Sequence, residues 1–236
     1  MNEQLPFIAS LDITNRDGKD IIYKYFTQEA IDWFYPLKPY TKLEYEWVIN
    51  NINMKDRLVI DIGCHQGNYS VVFTSCGATV LAIDCNKIAL TYTSDNLRRY
   101  GRPYFMQECF IEGEKQHLSR LQGCGEQPGR FRTMSWLKSI SWAAEKPIYV
   151  IKIDIEGTEF ELFPEALNSM CEVRYWIVEI HPSAGNPDDI IRHFLQRDFE
   201  VLLVNRENLT VEPYDSYDWT SHATIIASGK YWGDTL

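Results

Sequence analysis

The sequence predicts a doubly wound α/β fold: a mostly parallel sheet with an antiparallel hairpin at its C-terminal edge and an N-terminal cap. Three observations carry that prediction. From residue 58 onward, short apolar runs rich in isoleucine and valine alternate with helical segments, as in strands joined by right-handed crossovers. The first run, Leu58-Val59-Ile60-Asp61-Ile62, enters a turn containing Gly63 and Gly67 and then an apolar helical segment. The last two runs have no evident helix between them, so they read as an antiparallel pair.

Residues 1–55 read as a cap on a main domain spanning 56–236. Two apolar stretches, 8–14 and 21–26, flank Asn15-Arg16-Asp17-Gly18-Lys19, a hairpin turn. The aromatic cluster Trp33-Phe34-Tyr35 follows, and Thr41 could cap a helix reaching Asn51 with Leu43, Trp47 and Val48 on its apolar face. The main domain then alternates strand 58–62, helix 68–76, strand 79–84, helix 87–100 and strand 104–109. Residues 111–130 are polar and contain four glycines, so they read as a loop. A short edge strand at 131–137 runs into a helix ending at 144. Strand 148–155, helix 159–169, strand 175–181, helix 187–196 and strands 199–205 and 223–228 complete the set.

Composition narrows the function classes. The net charge of −10, from 23 basic and 33 acidic residues, gives no net field for nucleic acid or anionic membrane. No apolar stretch reaches membrane-spanning length, and the first residues show no secretory pattern. Six scattered cysteines without a C-x-x-C pair fit reduced thiols, and a cytoplasmic protein is the simplest expectation.

The residues with chemistry gather at strand ends. Asp61 precedes the glycine turn, where a carboxylate could hold an ammonium group, and His65 lies within the turn. Asp84 ends the second strand, facing the turn, and a carboxylate there suits two ribose hydroxyls. Gln107 and Glu108 end the third strand and are candidates for an adenine edge. In Lys152-Ile153-Asp154-Ile155-Glu156-Gly157-Thr158-Glu159, ionisable residues sit among isoleucines, which is costly unless they are paired or functional. Glu179 and His181 close the next strand, so Asp154, Glu156, Glu179 and His181 could share one rim. Lys152 could be only the ion-pair partner of Asp154.

The Asp-x-Gly-x-x-x-Gly turn resembles the S-adenosylmethionine (SAM) loop of class I methyltransferases. Together with the Asp84 region, Thr133–Leu137, the Lys152–Glu159 block and Val178-Glu179-Ile180-His181, it resembles the FkbM-type SAM-dependent methyltransferases. The resemblance covers about 59–182 and departs from the family at Cys64-His65-Gln66, where small residues and asparagine are more usual. It implies a seven-stranded Rossmann-like sheet and methyl transfer to the hydroxyl of a small acceptor, such as a sugar or related metabolite.

On that reading SAM is the cofactor, held by Asp61, Gly63, His65, Gly67, Asp84, Gln107 and Glu108. A hydroxyl nucleophile gains from a general base, and His181 is the first candidate, with Asp154 and Glu179 as alternatives and His65 behind them. Asp154, Glu179 and His181 could chemically hold an ion, but no metal is expected. Trp33, Phe34, Tyr35 and the loop 111–130 are candidates for the acceptor pocket. Two other readings stand beside this one: a SAM-fold subunit without catalysis, and an NAD(P)-dependent oxidoreductase, which would need a third glycine in the turn.

Overall fold

The computed structural model of the chain describes residues 6–112 and 131–229. It opens with the hairpin β1 (Phe7–Thr14) and β2 (Asp20–Tyr25), followed by helices α1 (Gln28–Phe34) and α2 (Pro39–Asn51). The doubly wound part follows as β3 (Leu58–Ile62), α3 (Asn68–Ser75), β4 (Thr79–Asp84), α4 (Lys87–Arg98) and β5 (Tyr104–Glu108). Next come β6 (Phe110–Glu112), β7 (Phe131–Thr133), α5 (Met134–Ala144), β8 (Ile148–Ile153), α6 (Glu159–Leu162), α7 (Glu165–Ser169) and β9 (Tyr175–Ile180). The chain continues through α8 (Pro187–Leu195), β10 (Phe199–Asn205), β11 (Thr210–Pro213) and β12 (Ala223–Gly229).

The main sheet has eight strands in the order β11-β10-β12-β9-β8-β3-β4-β5. Strands β9, β8, β3, β4 and β5 are parallel neighbours. Strand β12 runs antiparallel between β9 and β10, and β11 pairs antiparallel with β10 at the edge. The antiparallel pairing of the last two predicted strands is present. The eighth strand, β11, was not expected, because Thr210-Val211-Glu212-Pro213 is too short and too polar to read as a strand alone. All five residues of β3 are buried, as a central strand covered on both faces requires.

Other boundaries moved for local reasons. Helix α2 starts at Pro39, whose fixed φ suits the first helical position, so Thr41 lies inside the helix rather than capping it. The predicted helix 159–169 is two short helices, because Pro164 cannot continue a helix and Phe163 before it is extended. Residues 131–133 pair with β6 in a separate two-stranded parallel sheet instead of joining the main one. The segment 113–130, expected as a loop and as part of an acceptor pocket, lies outside the described residues.

Two apolar cores cover the two faces of the sheet. The N-terminal elements share one of them: Tyr23, Tyr25, Tyr45, Val48 and Ile49 pack with Val59, Val71 and Val80. Polar ties reinforce this packing. Asn96, fully buried in α4, accepts from the Lys24 amide at 2.8 Å and donates to the Lys24 carbonyl at 3.1 Å. The Tyr23 hydroxyl donates to the Gln66 carbonyl at 2.8 Å, which fastens the cap to the glycine turn itself. Cys64, Cys76, Cys109 and Cys171 are free thiols, but Cys85 is disulfide-bonded, so the expectation of reduced thiols throughout fails at that position.

Candidate functional site

The site begins where β3 ends. Gly63 and Gly67 both have positive φ, 74° and 88°, and both are required by protein contacts. A Cβ on Gly63 would stand 1.7 Å from the Asp154 carbonyl oxygen, and one on Gly67 would stand 2.7 Å from Thr93 Cγ2. The first glycine therefore lets the carboxyl ends of β3 and β8 close on each other, and the second lets the turn lie against α4. Between them His65 also has positive φ, 48°, and its amide donates to Asp84 Oδ2 at 2.8 Å. Asp84 Oδ1 accepts from the Asn86 amide at 2.7 Å. A carboxylate has about four lone-pair sites, so Asp84 keeps acceptor capacity for a diol after these two bonds.

The unusual trio Cys64-His65-Gln66 is explained by the cap. Gln66 donates to Thr27 Oγ1 at 3.0 Å, and its carbonyl receives Tyr23. Cys64 is buried near Thr93, and the His65 ring lies 6.3 Å from the Phe34 ring. Residues that depart from the usual turn are the ones that hold the N-terminal elements over it.

Behind the turn lies a buried ion cluster. Asp61 is wholly buried, accepting from Ser70 Oγ at 2.7 Å, with Lys152 Nζ 3.8 Å from its other oxygen. Lys152 also reaches Asp154 Oδ2 at 3.1 Å and sits 5.3 Å from the Tyr69 ring centroid. Burial disfavours the lysine charge, but Asp154 and Asp61 outweigh that and hold it protonated. Burial pushes the Asp61 carboxyl upward against the pull of Lys152, whereas Lys152 holds Asp154 below the usual range despite burial. Glu44 of α2 enters the same cluster, accepting from Tyr69 and from Thr224 Oγ1. Its carboxyl is pushed up by burial.

The rim beyond this cluster carries two histidines. Glu159 Oε1 accepts from the His181 amide at 2.7 Å and lies 3.1 Å from His181 Nδ1. His181 Nε2 faces Glu156 Oε2 at 3.5 Å and Asp154 Oδ1 at 3.9 Å. Burial opposes its charge, yet the Glu159 hydrogen bond and the charges of Glu159, Asp154 and Glu179 raise its pKa to about 9. The Glu179 carboxyl lies 2.8 Å from Arg206 and 3.3 Å from His222 Nε2. Burial, with help from Asp154 and Glu44, raises it to about 7. His222 stacks on His181 at 5.7 Å and is held down to about 4 by burial, Arg206 and His181.

Most of the predicted residues converge. Gly63, His65, Gly67 and Asp84 form one side, and Asp154, Glu179 and His181 form the other. Asp61 lies between them but is sealed inside, with Ser70 and Lys152 as its neighbours. Glu108 is exposed at the end of the edge strand β5, and Gln107 donates only to the Glu108 carbonyl at 3.2 Å. His181 does not have the ordinary histidine pKa expected of a base, because its carboxylate neighbours keep it protonated at neutral pH. Trp33 and Tyr35 are exposed, and Tyr35 packs edge-on to Phe7 and Tyr25. Sequence reasoning missed Arg206, His222 and Glu44. Arg206 and His222 flank strands β10 and β12 without any local motif, and only the insertion of β12 beside β9 brings them to Glu179.

Among family comparisons, residues 133–201 match the methyltransferase FkbM domain. Over these residues the chain is similar to that domain. The FkbM match spans the strands that carry Asp154, Glu179 and His181, whereas the glycine turn and Asp84 lie outside it. A SAM-dependent methyltransferase from Agrobacterium tumefaciens has the same fold, with a TM-score of 0.54 at 14% identity over 97% of this chain and 72% of that one. An rRNA methylase from Streptococcus thermophilus aligns with a TM-score of 0.49 at 13% identity, over 81% of this chain and 96% of that one. No curated protein matches the chain. Among the described residues, no helix is long and apolar enough to cross a membrane.

Two outcomes follow from the charges. Lys152→Met leaves Asp61 buried without its counter-charge, a loss of about 3–5 kcal/mol in denaturant unfolding. Adding Asp61→Asn to that variant is expected to recover part of the loss, and an unchanged midpoint in Lys152→Met contradicts the assignment. The raised pKa of His181 adds stability that is complete below about pH 6.5 and fades as the pH rises through about 9. Wild-type melting temperature is therefore expected to fall across that interval more steeply than that of His181→Gln, and parallel curves would refute it.

Proposed function

We propose that the chain is a SAM-dependent methyltransferase that methylates a hydroxyl of a small acceptor, a sugar or related metabolite. The observation that carries this reading is the adjacency of two unlike half-sites at one sheet edge. One is a turn with a partly satisfied carboxylate, Asp84; the other is a rim of titratable groups, with Glu179 and two histidines. The FkbM match supports methyl transfer. The acidic net charge and the carboxylate-rich rim favour a small hydroxylated acceptor over nucleic acid.

The donor set fits a nucleoside cofactor. Asp84 presents free lone pairs to a ribose diol, and Ile88 at the start of α4, 63% exposed, offers an apolar surface to a flat base. SAM bound there supplies a methyl group on a sulfonium, which leaves readily on in-line attack. The chain then has to position the acceptor and manage one proton. Glu179, poised near 7, can take a hydroxyl proton at neutral pH, and neutral His222 beside it can share it. Protonated His181 cannot begin as the base; its charge instead favours an oxyanion at the rim. Asp61 acts through Lys152 and Ser70, fixing the turn from behind.

Calorimetric titration with SAM and with S-adenosylhomocysteine tests the cofactor assignment. Wild type is expected to bind both, and Asp84→Asn to bind at least about tenfold more weakly, the value of one charge-assisted hydrogen bond. Failure of wild type to bind either ligand overturns the reading. Binding without methyl transfer to any hydroxylated acceptor would favour a non-catalytic subunit.

A further inference from the structure

We propose that Asp154, Glu156 and His181 form an open binding site for a divalent transition-metal ion of the manganese(II) kind. Their donor atoms all lie within 4.8 Å of one another. His181 Nε2 is 3.5 Å from Glu156 Oε2 and 3.9 Å from Asp154 Oδ1. With nitrogen and oxygen donors about 2.0–2.2 Å from an ion, neighbouring donors stand about 3 Å apart and opposite ones about 4 Å. The two His181 pairs fall within that span, and Asp154 and Glu156, within 4.8 Å of each other, need draw in only slightly to share one ion.

The supporting arrangement lies outside the cluster. Glu159, wholly buried, binds His181 Nδ1 and its backbone amide through one oxygen, and the Gly157 amide through the other at 2.8 Å. A carboxylate on one ring nitrogen fixes the tautomer and turns the other nitrogen toward a cation, as around metal-bound histidines. The same carboxylate fixes the loop that presents Glu156. Lys152 occupies Asp154 Oδ2, which leaves Oδ1 for the rim. Each of the three donors comes from a different place: the end of β8, the loop after it, and the end of β9. The groups facing the site are Glu159, Glu179, Lys152, Arg206 and His222, and the Glu156 side chain is 81% exposed, so one side is open to water or an acceptor.

One imidazole and two carboxylates form a mixed donor set that suits manganese, iron, cobalt or zinc better than the all-oxygen preference of calcium or magnesium. The ion takes the place of the proton on Nε2. Its role in the reaction, lowering the pKa of an acceptor hydroxyl by direct contact, rests on the methyltransferase reading, while its binding does not.

Electron paramagnetic resonance of manganese(II), titrated into the chelator-stripped full chain without SAM or acceptor, tests the site. Loss of the free-ion signal is expected to saturate at one equivalent. Glu156→Gln, at an exposed position, is expected to weaken binding at least about tenfold while leaving the melting temperature unchanged. A free-ion signal throughout the wild-type titration overturns the site, as does equal binding by wild type and Glu156→Gln. Calorimetry with SAM on the stripped protein separates the two readings: SAM binding without manganese binding overturns only the metal site.

Discussion

The arrangement of the site depends on one buried cation. Lys152 points from a central strand into a space shared by Asp61, Asp154 and the Tyr69 ring. Asp61 anchors the start of α3 through Ser70, and Asp154 begins the titratable rim. A single ammonium therefore joins the strand behind the glycine turn to the strand that carries the proposed acceptor chemistry. The cost of burying it is met by two carboxylates, and removing the lysine leaves both of them without their counter-charge. Gly63 complements this pairing, because only a residue without a Cβ permits β3 and β8 to close at that level.

The rim shows how neighbours divide chemical labour among similar groups. His181 and His222 stack on each other, yet one is raised to about 9 and the other held near 4. The difference lies in their second contacts: Glu159 stands behind the first ring, Arg206 near the second. Glu179 is left near neutrality because burial, Asp154 and Glu44 push it up while Arg206 and Lys152 pull it down. A charged donor, a neutral acceptor and a group ready to exchange a proton thus arise within a few ångströms.

The parallel core was legible in the sequence because its strands are buried on both faces and read as unbroken apolar runs. The glycine turn was legible by spacing, and the Lys152–Glu159 block because charges among isoleucines demand an explanation. What was not legible depends on tertiary placement. Nothing near Arg206 or His222 signals a site, and Glu44 sits on a helix of low amphipathic contrast, so its burial was not foreseeable. The glycines were expected to hold the cofactor, and the close approaches they make within the protein are to Asp154 and Thr93. His181 was recognised, while its protonation was not, because Glu159 lies 22 residues away in the chain.

On the proposed function, the cofactor side and the acceptor side are neighbouring but distinct parts of one sheet edge. Amide hydrogen exchange with and without S-adenosylhomocysteine tests it most directly. The account predicts slowed exchange in the segments 62–68 and 84–88, with β12 and the turn after β10 little changed. Protection confined to the β9–β12 rim, or no change at either segment, would contradict it.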